Sequence, residues 1–177
     1  MVSSIPLRTQ LAVLLGRVVT RSAYTLGRLF RRPYLRMLGL RDVAERDFDR
    51  RRYVQAEAKA VELLALAEQF PGDWDYGNAI HHGHLLLGRV ALARGERDRA
   101  ANELILAGQT PGSPQLNSFG PNCQLALELL KAGSTAPVLE FLQLCETFWN
   151  PAYSRAAVWA EAIRRGEVPH FGPNLSY

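Results

Sequence analysis

The stretch AVELLALAEQFPG, residues 60–72, returns forty residues later as AANELILAGQTPG, residues 100–112, with seven of thirteen positions identical. A fixed period of this size is the mark of stacked supersecondary units. The shared residues also have a physical order. Ala60, Leu64 and Ala67 recur at helical spacing, as do Ala100, Leu104 and Ala107. Small side chains let neighbouring helices approach, and the leucine fills the space between them. Pro71-Gly72 and Pro111-Gly112 end each helix. Ala and Leu dominate while β-branched runs are scarce, which agrees with an all-α chain.

The unit extends in both directions. HLLLGRVALARG, residues 84–95, precedes the second copy. Leu125, Ala126 and Leu129 open a third unit, whose turn glycine Gly133 follows Gly95 by 38 residues. Ser134 or Thr135 is placed to cap the next helix, with Pro137 in its first turn. Val138, Leu142 and Cys145 follow at helical spacing. A last helix, roughly Tyr153–Arg165, carries Trp159 and ends at Gly166.

This order resembles the tetratricopeptide repeat, whose first helix reads W-x2-L-G-x2-Y and whose second reads A-x3-F before a Pro. Leu87-Gly88 match the L-G pair, Ala100 the Ala of the second helix, and Pro111 the closing Pro. Leu104 replaces the aromatic, His84 stands in place of Trp, and Ala91 in place of Tyr. The strings DWDYGN, HHGH and TPGSPQLNSFGPN also resemble an uncharacterised bacterial family of this class, which carries no activity over. The resemblance implies a short right-handed α-solenoid of antiparallel helix pairs, covering about Tyr53–Arg165.

The expected organisation is therefore a basic N-terminal region, residues 1–52, and a helical repeat domain with a C-terminal tail, residues 53–177. Residues 1–52 hold twelve Arg and four acids, and the remainder nine Lys or Arg and thirteen acids. The basic balance belongs to the N-terminal region alone, so no nucleic-acid partner is expected. From Leu11 to Phe30 the pattern is helical, with Leu11, Leu15, Val18, Leu26 and Leu29 on one face and Arg17, Arg21, Arg28 and Arg31 opposite. Arg17 interrupts the apolar run, which is too short to span a bilayer, and no secretory signal fits. The helix either docks on the rest of the chain or lies on anionic membrane through residues 8–32; a targeting remnant is the third reading. Residues 31–52 read as a connector after Pro33 stops that helix. Location is expected to be cytoplasmic, with or without peripheral membrane contact.

Two polar stretches are candidates for function. DWDYGNAIHHGH, residues 73–84, holds three of the four His. Asp73 or Asp75 is expected to cap the helix that follows. His84 is expected to be packed, with His81 and His82 partly exposed and 100° apart. A metal site would need His81, His84 and a carboxylate such as Asp75, and H-x2-H alone does not make one. TPGSPQLNSFGPN, residues 110–122, reads as a long rigid loop, and its FGPN returns at Phe171–Asn174. That return is either chance or a sign that both turns pack together; the tail itself, with Phe171, Leu175 and Tyr177 as anchors and Pro169 and Pro173 to stiffen it, is expected to be ordered and to pack back on the helices. Cys123 and Cys145 fall on apolar positions and are expected to be buried free thiols.

The reading is a non-catalytic binding module that holds a peptide or protein partner, with no cofactor. Asp75, Tyr76, Asn78, His81, His82, Arg89, Gln115, Asn117 and Asn122 are the expected binding residues. The alternative is a small-molecule or metal-dependent enzyme centred on residues 73–84. Convergence on one enclosed pocket would favour the enzyme, and spread along an open groove the binding module.

Overall fold

The structure is a computed structural model that describes residues 32–176. The amphipathic segment Leu11–Phe30 lies outside the described residues. The chain divides into two compact units, Met1–Arg36 and Met37–Tyr177. The second unit holds the site and is the one described below.

Every regular element among the described residues is helical. Helix α1 covers residues 32–49. It is followed by α2 (Tyr53–Ala67), α3 (Tyr76–Ala93), α4 (Arg97–Gly108), α5 (Pro114–Phe119), α6 (Gln124–Lys131), α7 (Ala136–Cys145) and α8 (Ala156–Arg164). A 3-10 turn, Gly172–Leu175, ends the described chain. No described helix is long and apolar enough to cross a membrane.

The residues expected as a connector, 31–52, are thus mostly a helix. Met37, Leu40 and Ala44 are buried, and their spacing of three and four residues puts them on one stripe. The compact unit consequently starts at Met37 and not at Tyr53. Asp47, 4% exposed, sits on the same stripe. It is paired with Lys59 of α2 at 2.5 Å and with Arg52. These cations and the Lys59 hydrogen bond above all hold its carboxyl below the usual range. Arg51, at φ 58°, turns the chain from α1 into α2.

Helix α3 packs on α2 and α4, α4 on α7, and α7 on α8, while α6 touches α3, α4 and α7. The repeat residues explain these contacts. Ala60, Ala67, Ala100, Ala107 and Leu104 have no exposed surface, and Leu142 is 1% exposed. Leu64 departs from the register: it is half-buried against Gly83, and Leu63 takes the core position. Glu57 of α2 accepts from Arg94 at 2.7 Å and Arg99 at 2.6 Å, tying α2 to the α3–α4 turn.

Further details differ from expectation. Thr135 stands at the N-cap of α7 without a side-chain cap, although Pro137 does sit in the first turn. The last helix starts at Ala156, three residues later than expected. Residues 110–122 are not one loop: Ser113 caps a six-residue helix, α5, by accepting the Leu116 N–H at 3.0 Å. Cys123 and Cys145 are buried free thiols, as expected.

Candidate functional site

Three segments that are distant in sequence meet at the start of α3. Asn78 donates through Nδ2 to Gln115 Oε1 at 3.0 Å and accepts from Ser113 Oγ at 2.7 Å. Thr110 Oγ1 donates to the carbonyl of Gly77 at 2.8 Å. The polar residues of the 110–122 stretch therefore anchor α5 against α3. Asn117 serves the same purpose on the other flank, donating to Phe148 O at 3.1 Å and accepting from Asn150 N–H at 3.0 Å. Ser113→Ala removes both a cap and the bond to Asn78, and should lower unfolding free energy by about 1–2 kcal/mol in urea titration.

The three histidines behave differently from expectation. His81 has no exposed surface and His82 is 6% exposed, whereas His84 is the half-buried one. His84 Nδ1 meets Glu103 Oε2 at 2.8 Å. The reason is the crowding of α3, which has α2 on one side and α4 and α6 on others, so that side chains 100° apart are both covered. His81 Nε2 accepts the Asn122 N–H at 3.0 Å, and Nδ1 lies 2.9 Å from Ala107 O. Those two bonds require the neutral ring with its proton on Nδ1. Burial pushes its pKa down to about 4. Burial, with His81 and Arg41 nearby, also pushes His82 well below its ordinary value. The Nε2 of His82 is closed off from solvent and has no hydrogen-bond partner among the described residues.

Neither expected capping bond to α3 forms. Asp75 is the N-cap residue but makes no side-chain cap, and Asp73 accepts instead from the Asp75 N–H. Tyr76 donates to Glu68 Oε1 at 3.1 Å on the surface. Among the described residues, no three His, Cys, Asp or Glu side chains are grouped as metal ligands would be. His81 has no lone pair or proton to offer without breaking its two bonds.

Two half-open recesses flank the His82 ring and the side chain of Arg41. The first, about 150 Å³, lies between α1, the start of α3 and α5, and is lined by Met37, Leu38, Asp42, Asp75, Asn78 and Gln115 as well as by Arg41 and His82. The second, about 160 Å³, continues along α3 towards α6 and the tail, where Glu45, Arg89, Asn122, Gln124 and Ser176 join Arg41 and His82. Arg89 is fixed there by Glu128 at 3.1 Å, with its guanidinium 4.2 Å over the Phe48 ring. Asn122 Oδ1 accepts from the Gln124 N–H at 2.9 Å.

The structure thus brings Asp75, Asn78, His82, Arg89, Gln115 and Asn122 to one line of recesses, and leaves Tyr76, His81 and Asn117 outside it. The residues that sequence reasoning missed are those of α1, Arg41 above all. The stripe Met37, Leu40, Ala44 was the available signal, hidden by the surrounding charges. A third cavity of about 370 Å³ between α7 and α8 holds none of the expected residues.

Comparison of the chain with protein-family models, with curated proteins and with solved structures finds no match.

Proposed function

We propose that the chain is a non-catalytic binding module: a short tetratricopeptide-like solenoid of antiparallel helix pairs that holds a peptide segment of a protein partner in the line of recesses between α1 and α3. The single observation behind this reading is the arrangement about His82 and Arg41. Two recesses of similar size continue one another along α3, each partly open, instead of forming one enclosed chamber of the kind that buries most of a small substrate. Solenoids use extended surfaces in this manner. Each recess is large enough for one side chain, since a cavity of about 150 Å³ takes a benzene ring. Charges of both signs line the recesses, with Arg41, Asp42 and Asp75 in the first and Arg41, Glu45 and Arg89 in the second, which suits a segment that carries charged side chains. The enzyme centred on residues 73–84 has no comparable observation in its favour.

The test is photo-crosslinking from inside the groove. A photoreactive residue replacing Leu38, which is 42% exposed at the first recess, should capture one discrete partner from extracts of the native host. Filling the recess with Gln115→Trp should reduce that capture at least tenfold. A probe at Val158 on α8, 58% exposed, serves as control. Equal capture at both positions, or capture indifferent to Gln115→Trp, would reject the groove.

A further inference from the structure

The clearest example of peptide recognition in this molecule is its own tail. After α8 the chain runs through exposed residues, 165–168, and then docks again. Phe171 is 2% exposed and meets the Trp159 ring edge-on, with centroids 4.9 Å apart. Asn174, 7% exposed, donates through Nδ2 to the carbonyls of Phe119 at 3.0 Å and Pro121 at 2.8 Å. Its own carbonyl accepts the Cys123 N–H at 2.7 Å. Leu175 packs beside these residues on the main core. The 3-10 turn over Gly172–Leu175 brings the Phe, Asn and Leu side chains into place together. The second FGPN is thus read by the backbone of the first.

The receiving side is made wholly of residues outside the tail: two carbonyls, one N–H and the face of an indole. It reads an aromatic residue, an asparagine three positions on, and a leucine after it. We propose that this cleft is a recognition site for a Phe-x-x-Asn-Leu segment, filled in cis by the tail and able to take the same segment from a second copy of the chain. The exposed stretch before it supplies the hinge. Exchange between two copies keeps every contact made in cis, so it costs little beyond association. The cis arrangement prevails while the hinge is long enough, because the tethered tail has an effective concentration in the millimolar range. This proposal concerns a cleft apart from the one between α1 and α3, and does not depend on the function proposed for that groove.

Shortening the hinge should reveal the exchange. Deleting Glu167 and Val168, both exposed, gives up the Glu167 N–H bond to the Ala162 carbonyl at the end of α8 but removes no residue of the cleft, and stops the tail from reaching it in cis. The deletion variant should be dimeric at tens of micromolar, and the unaltered chain should be monomeric at the same concentration. A synthetic peptide of residues 170–177 at millimolar concentration should convert that dimer to monomer, and the same peptide with Asn174→Ala should not. Cys123 gives a second readout in a Cys145→Ala background, since its thiol is buried and its backbone N–H is bonded to the Asn174 carbonyl. Asn174→Ala in the full-length chain should speed its reaction with a disulfide reagent about 10- to 100-fold, and the peptide in trans should slow it again. A monomeric deletion variant, or Cys123 reactivity unchanged by Asn174→Ala and by peptide, would overturn the proposal.

Discussion

Gly120→Ala should be among the most damaging single-methyl additions in the chain, lowering the unfolding free energy by about 3–5 kcal/mol and the melting temperature by about 10 °C. Two costs combine. Gly120 sits at φ 81° and ψ −172°, a region open essentially to glycine, and entry of another residue costs on the order of 1–3 kcal/mol. A methyl group there would also lie 2.4 Å from the Trp149 indole. That ring is held against Trp159, 5.5 Å away, so it has little room to retreat. Gly133→Ala is the control. Gly133 is at φ 84°, but a methyl group would meet nothing within 4 Å, so only the conformational cost of about 1–2 kcal/mol should appear. Calorimetric melting of the two variants beside the unaltered chain measures the difference. Equal losses would mean that Trp149 yields, and that the first FGPN turn is less tightly set than its geometry implies.

Mild acid should unfold the protein through its two buried histidines. His81, with its pKa pushed down to about 4, and His82, pushed well below its ordinary value, are neutral in the folded chain. In the unfolded chain each takes up a proton near pH 6.5. Their neutral burial therefore costs nothing above pH 6.5, and stability falls as the pH drops from there towards 4. For His81 alone the loss is about 3 kcal/mol over that window. With both histidines contributing, unfolding free energy should fall more steeply between pH 6 and 4.5 than His81 alone would make it. Urea unfolding at a series of pH values gives this slope directly. His82→Leu should make it shallower, since the His82 Nε2 has no hydrogen bond to lose among the described residues. A flat profile from pH 7 to 4.5 would show that neither ring is held neutral by the fold.

The helical core was legible because its pattern is local. Ala100, Leu104 and Ala107 lie on one helix, and their spacing alone marks them as buried. Helix α1 was not legible in the same way. Its three apolar core residues stand among Arg41, Asp42, Glu45, Arg46 and Asp49, and Pro33 at its start looks like a stop. Proline is tolerated in a first helical turn, where its missing N–H is no loss. The candidate residues were legible as polar oddities but their pairing was not. Asn78 and Gln115 are 37 positions apart, and nothing in either neighbourhood names the other. The ordered tail was foreseen from its Phe, Pro and Leu content. Asn174, which contributes most of its hydrogen bonds, was not distinguished from any other turn residue.

The His-rich stretch has a last consequence. The Ala107 carbonyl belongs to the final turn of α4, where no helical partner remains for it, and the Asn122 N–H lies just before α6. The His81 ring reaches both. In doing so it acts as a displaced peptide group, with a proton on one edge and a lone pair on another, stitching together the end of α4 and the approach to α6. Lysine could only give, and a carboxylate could only receive. A shorter amide would not span the gap while stacking on Phe141, whose ring lies 6.3 Å away and nearly parallel. The residue that looks most reactive in the sequence is spent on joinery, and chemistry aimed at it from solution would meet a closed seam.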